Sequence, residues 1–125
     1  MTTPTINTVS WFQIGTDQPE RAHRFYGDLF GWNFAADPSL PGYDLIRYPD
    51  TETPGGGVAH TPDAGANHAI FFVLVEDVAA TAAATERLGG KVVQPPTTAP
   101  DGLVFAHLLD PSGNQFGVFT PAPKP

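Results

Sequence analysis

The chain contains no cysteine, so disulfides, thiolate metal sites and cysteine nucleophiles are excluded at the outset. Basic residues are nearly as scarce: Lys and Arg total 6 against 13 Asp and Glu, a net charge of −7. Phosphate backbones are held by basic surfaces, so nucleic acid is not an expected partner. A neutral or cationic small molecule suits the balance better. Long hydrophobic runs are missing as well. The longest, Ala69 to Val75, is far short of the roughly 20 residues that cross a bilayer. Met1-Thr2-Thr3-Pro4 lacks the basic-then-apolar pattern of a signal peptide. No membrane partner is expected, and the cytoplasm is the expected location.

What the chain has in excess is turn chemistry. Its 13 Gly and 14 Pro divide 125 residues into short elements and argue against a helical bundle. The length suits one domain, residues 1–125. Thr8 to Thr16 alternates bulky and polar residues and reads as a strand. Asp17 reads as a helix N-cap, with Glu20 completing a capping box and Pro19 in the first turn. Ala22, Phe25, Tyr26, Leu29 and Phe30 then form one apolar stripe of a helix that Gly31 ends. Short strands are predicted over Trp32 to Ala35, Tyr43 to Tyr48 and Gly57 to His60.

The same order follows again. Ala69 to Val75 reads as a strand, Glu76-Asp77 opens a helix over Val78 to Leu88, and Gly89-Gly90 ends it. Strands are predicted over Lys91 to Gln94, Leu103 to Leu109 and Gln115 to Thr120, the last two joined by the turn Asp110-Pro111-Ser112-Gly113-Asn114. Gly31 and Gly90 are 59 residues apart, as are Gln18 and Asp77 at the helix starts. The chain therefore reads as an internal repeat of βαβββ, with module one at about residues 6–60 and module two at about 68–120. The fold class expected is α+β: two βαβββ modules forming paired, cup-shaped mixed β-sheets, each backed by a helix. A cup of this kind suits a small molecule.

Three groups of residues carry a family resemblance. They are Trp11 to Ala22 leading into Phe25-Tyr26-Gly27-Asp28-Leu29-Phe30-Gly31-Trp32, then Val75-Glu76-Asp77-Val78 with Leu88-Gly89-Gly90-Lys91-Val92, and then Asp110-Pro111-Ser112-Gly113. Over about residues 6 to 120 the chain resembles the vicinal oxygen chelate superfamily of glyoxalases, bleomycin-resistance proteins and extradiol dioxygenases. The resemblance implies a divalent metal held by His, Gln or Glu from the first and last strand of each half. It also implies a homodimer, in some members with modules exchanged. The first-strand position, seven residues before Gln18, is Trp11, and its equivalent 59 residues later is Ile70. The last-strand position, seven after Asp110, is Gly117; its equivalent is Val58, with Gly57 and Ala59 as neighbours. None of these side chains coordinates a cation, so no metal and no cofactor is expected.

Alternation along the strands places Gln13 with Trp11, His60 with Val58, His68 and Phe72 with Ile70, and Phe119 with Gly117 on the cup side. Trp11 reads either as a stacking platform for a planar ligand or as a core tryptophan filling a vacated site. Gln13 either orients a ligand or is an internally satisfied amide. His60 and His68 form either a displaced metal site with His107 or a solvated rim, and no Asp or Glu is expected on a matching strand face to complete a site. His107 is either a general base or a histidine bonded within the sheet. His23 is expected to be exposed, and the acidic residues to be caps and solubilising charge. Gly55-Gly56-Gly57 reads as a mobile turn or a close backbone approach.

Two functions follow. The first is a metal-free small-molecule-binding protein, sequestering an antibiotic or an aromatic metabolite with Trp11, Gln13, Val58, His60, Ile70, Phe72, His107, Gly117 and Phe119. The second is a lyase, isomerase or dioxygenase with a non-standard metal site, or a metal-free acid–base catalyst using His107. A degenerate domain kept for dimerisation is a third possibility.

Overall fold

In the computed structural model, which describes residues 5–123, strand β1 (Val9–Thr16) leads into helix α1 (Pro19–Phe30). Strands β2 (Asn33–Ala36), β3 (Tyr43–Arg47) and β4 (Gly56–His60) follow. One 3-10 turn, Ala64–Ala66, precedes β5 (His68–Leu74), α2 (Val78–Arg87), β6 (Lys91–Thr98), β7 (Val104–Leu109) and β8 (Gln115–Thr120). The chain is α+β and each half is βαβββ. In the first, β1 runs parallel to β4, and β3 joins β4 to β2 through antiparallel pairs. In the second, β5 runs parallel to β8, and β7 joins β8 to β6 in the same way. Two compact units result among the described residues, one of Trp11–Ala69 and one of residues 5–10 with 70–123.

The helix ends follow local chemistry unequally. Asp77 caps α2, its side chain accepting from the Ala80 N–H at 3.0 Å. At α1 the capping residue is Gln18, not Asp17, and its side chain makes no capping bond. Asp17 is drawn away by Asn67, whose Nδ2 donates to Asp17 Oδ1 at 3.1 Å and whose Oδ1 accepts from the Asp17 N–H at 3.0 Å. Gly31 ends α1 at φ +75°, a left-handed conformation that glycine adopts without a steric penalty.

Strand β6 runs to Thr98, past the expected Gln94, and includes Pro95 and Pro96. It pairs only with β7 in its own unit, with register shifts on either side of Gln94. An edge strand tolerates prolines because its outer N–H positions need no partner. The Asp110 turn is built as its composition suggests. Asp110 Oδ1 accepts from the backbone N–H of Ser112 and of Asn114, both at 2.9 Å. Hydrogen bonds, first from the Asn114 backbone, hold its carboxyl below the usual carboxylate range.

Candidate functional site

In module one the register sorts side chains to two faces. Gln13 pairs with Gly57 and Gly15 with Ala59, while Tyr43 and Leu45 oppose Ala59 and Gly57. These residues, with Trp11, share the face away from α1. The Trp11 indole N–H donates to the Tyr43 hydroxyl at 2.9 Å. Burial pushes the Tyr43 phenol up to about 12; the Trp11 hydrogen bond works against that rise, and the nearby Asp37 charge adds to it. Gln13 is buried, and its amide nitrogen lies 2.9 Å from His68 Nε2. His68 Nδ1 lies 3.0 Å from the Ala66 carbonyl oxygen, which can only accept. The proton therefore sits on Nδ1, and Nε2 accepts from Gln13. The His68 ring covers Gly15 so closely that a Cβ there would clash.

The other face carries Phe12, Ile14, Val58 and His60, with Asp44 and Ile46 from β3. The alternation read from sequence is thus corrected for Val58 and His60: both lie on the helix side, and Gly57 takes the outward position. Val58 is fully buried. His60 Nε2 donates to Asp44 Oδ2 at 2.8 Å, and His23 Nε2 from α1 donates to the same oxygen at 2.9 Å. His23 stacks on Phe34 at 4.4 Å between ring centroids. His23 is therefore a partner of a buried carboxylate, not a solvated surface residue, and Asp44 is the acidic group on the matching face that the sequence reading missed. The signal was present in β3, where Asp44 falls in phase with Ile46. His60 and His68 face opposite sides of the sheet and form no common site.

The three glycines before and within β4 resolve as close approaches. A Cβ on Gly55 would meet the Tyr48 ring, one on Gly56 the Phe12 ring and one on Gly57 the Tyr43 ring. Phe12, Trp32 and Tyr48 form an aromatic cluster with Tyr26 and Phe30 of α1. Beside α1 lies a cleft of about 620 Å³, lined by Ile14, Ala22, Phe25 and Tyr26 together with the polar Arg21 and Asn67.

In module two, Phe72 pairs with Gly117 and Leu74 with Phe119, while His107 opposes Gly117. These side chains, with Ile70 and Gln115, share the face away from α2, as alternation predicts. The Phe72 ring covers Gly117 and meets His107 edge-on at 5.6 Å and Phe119 at 6.3 Å. Gln115 Nε2 lies 3.3 Å from His107 Nδ1, a long hydrogen bond. Ile70 and Phe72 are buried.

The residues do not fit the metal that the superfamily resemblance implies. Trp11, Gly57, Ile70 and Gly117 offer no coordinating side-chain atom. Among the described residues, no group of three His, Asp or Glu could hold a metal ion. Both imidazoles beside Asp44 direct their Nε2 atoms at hydrogen-bond distance to a single oxygen. Among the described residues, no helix is long and apolar enough to cross a membrane.

Comparison with known proteins agrees with this architecture. The family model of the glyoxalase-like domain matches residues 11–119. CFP32 of Mycobacterium tuberculosis, whose name assigns it provisionally to the glyoxylases, is 34% identical over 120 residues, covering 94% of this chain and 45% of its own length. The chain thus spans about half the length of that relative. A glyoxylase-like domain-containing protein of Didymella fabae is 30% identical over 121 residues, covering 90% of this chain and 92% of its own. The crystal structure of methylmalonyl-CoA epimerase from Mycobacterium tuberculosis superposes with a TM-score of 0.64 at 14% identity, over 98% of this chain and 93% of that one. At that identity the likeness shows the fold. From the match over residues 11–119 and the Didymella relative, the chain belongs to the glyoxalase-like domain family of the vicinal oxygen chelate superfamily.

Proposed function

We propose that the protein is a metal-independent member of this family that binds a small aromatic or amphipathic molecule on the strand faces turned away from its helices. The observation that carries the reading is the chemistry of those faces. On module one, Trp11 and Tyr43 present aromatic surface beside the Gln13–His68 pair. On module two, Phe72 and Phe119 flank His107, with Ile70 and Gly117 on the same face. Aromatic walls with few fixed polar groups are what small-molecule sites use. Val58 and His60, on the opposite face, belong to the packing beneath. The net charge of −7 favours a neutral or cationic ligand, including a cationic antibiotic held by sequestration. A single domain of two modules, at about residues 6–60 and 68–120, acting as a cytoplasmic homodimer, completes the proposal.

The names of the relatives support a second reading, a lyase, isomerase or dioxygenase at a non-standard metal site. Native mass spectrometry on protein purified without a His-tag separates the two. The first reading expects no stoichiometric divalent metal. Trp32→Phe leaves Trp11 as the single indole, and its fluorescence should then respond to titration with bleomycin or with flat aromatic cations. Trp11→Ala should abolish binding of whichever compound responds. A stoichiometric metal whose removal by chelation abolishes binding would overturn the proposal.

A further inference from the structure

The cleft of about 620 Å³ beside α1 shares His68 with the outward face of module one but holds none of Trp11, Gln13 and Tyr43. Its volume falls within the roughly 300–1,000 Å³ of small-molecule sites. Two opposite charges line it, Asp17 and Arg21, four residues apart in sequence. They do not pair: among the described residues, the ion pairs are those of Asp44 with His23 and His60. Each charge is held instead by a neutral amide. Asn67 Nδ2 donates to Asp17 Oδ1 at 3.1 Å, and Arg21 Nη1 donates to Gln18 Oε1 at 3.1 Å. Among the described residues, neither Asp17 Oδ2 nor a second nitrogen of the Arg21 guanidinium has a hydrogen-bond partner. Phe25 follows Arg21 by four residues and so lies on the same side of α1. Its ring is 59% exposed and meets Tyr26 edge-on at 5.1 Å between centroids. Ile14 and Ala22 add apolar wall.

We propose that this cleft is a second ligand site, separate from the Trp11 face, and that it takes a zwitterion with an aromatic side chain: a free aromatic α-amino acid. The argument is charge complementarity. An anion in the cleft gains Arg21 but meets Asp17, and a cation gains Asp17 but meets Arg21. A ligand that carries both signs satisfies both. Its ammonium donates to the Asp17 carboxylate, its carboxylate accepts from the planar fork of the Arg21 guanidinium, and its ring lies against Phe25 and Tyr26. The amides of Asn67 and Gln18 orient the two charges before the ligand arrives, which lowers the cost of binding. A zwitterion has no net charge, so a chain of net charge −7 does not repel it.

Titration of isotope-labelled protein with L-phenylalanine, followed by NMR shifts of the backbone amides and the indoles, tests the site. The shifts should saturate with a dissociation constant on the order of millimolar, because exposed charges contribute little each. They should cluster at the residues that line the cleft, around Thr16 to Tyr26 and Asn67 to Ala69, and leave the Trp11 indole N–H where it is. Hydrocinnamate lacks the ammonium and phenylalaninamide lacks the carboxylate; each should bind about threefold or more weakly than phenylalanine. Arg21 is exposed, so Arg21→Met should keep the dispersed spectrum of the folded chain. It should weaken phenylalanine by about threefold or more and leave phenylalaninamide, which has no carboxylate to lose, unchanged. No saturable shift up to about 20 mM phenylalanine would overturn the site, since that range covers millimolar binding. A largest shift at the Trp11 indole would move the ligand to the other face and overturn it too. Hydrocinnamate binding as tightly as phenylalanine would overturn the zwitterion, and equal weakening of both probes by Arg21→Met would overturn the role of Arg21.

Discussion

Helix α2 lays Val78 and Ala82 into a cluster of Val75, Ala106, Leu108 and Val118, whereas α1, two residues longer, buries none of its residues. Below α1 the buried side chains are few and mixed: Ile46 and Val58 beside Asp44. The second module is thus held mainly by aliphatic burial, with the Phe72 ring packed over Gly117. The first relies on aromatic rings stacked over glycines and on three long-range polar pairings: Trp11 with Tyr43, Gln13 with His68, and Asp44 with its two histidines. One topology is being stabilised by two kinds of interaction. Burial tolerates any apolar filling of the right volume. Hydrogen-bonded pairs specify orientation and leave costly vacancies when one member is removed. The module with the oriented polar pairs is also the one whose outward face carries Trp11 and Gln13.

The sharpest way to break the contrast is to cut into each core. Leu108 is fully buried, so Leu108→Ala should lower stability by about 2–5 kcal/mol in equilibrium urea unfolding, as cavity-forming substitutions do. Asp44→Ala in the first module should cost about 1–3 kcal/mol, because it strips the shared acceptor from His23 and His60. Asp44→Asn keeps one acceptor oxygen and should cost less. If Asp44→Ala unfolded with the wild-type midpoint, the polar cluster would be ornamental and the contrast between modules would collapse.

The repeat was legible because it is written locally. Turn glycines, helix periodicity and strand alternation recur at a spacing of 59, and Gly31 and Asp77 act as their types predict. On β1, β5 and β8 the faces were legible too, since alternation needs only a correct starting point. The errors sit where a distant partner decides. The side to which Val58 and His60 point depends on the pairing of β4 with β1, which no stretch of β4 encodes by itself. Asp17 looked like a cap until Asn67, fifty residues away, took it. Pro95-Pro96 looked like a strand end because a proline is harmless only at an edge, and edge position is a property of the sheet.

Alkaline pH should weaken the molecule through the first module, where the buried Tyr43 phenol lies. Unfolded, the Tyr43 phenol releases its proton near 10, whereas folded it holds the proton to about 12. Between those values the native state carries more protons, so stability must fall as pH rises. The contribution is intact below the lower value and gone above the upper one. The expected slope is roughly 1 kcal/mol per pH unit. Urea unfolding across that window measures it, and Tyr43→Phe should flatten the slope. An equal slope in Tyr43→Phe would assign the alkaline loss to other groups.

The finest comparison is between the two helix starts. Asp77→Ala removes a side-chain acceptor from the Ala80 N–H and should cost about 1 kcal/mol, the usual worth of an N-cap. Gln18→Ala removes no cap. It loses only the exposed contact in which Arg21 Nη1 donates to Gln18 Oε1 at 3.1 Å, worth a few tenths of a kcal/mol at most. The difference between the two variants, read as urea midpoints at constant slope, isolates capping from every other feature the helices do not share. Equal costs would mean that the Gln18 side chain itself holds the start of α1, and the contrast between the two helix starts would fall. With the small cost expected for Gln18→Ala, the bonds between Asp17 and Asn67 are what hold that start in place, and Asn67→Ala should destabilise more than Gln18→Ala does.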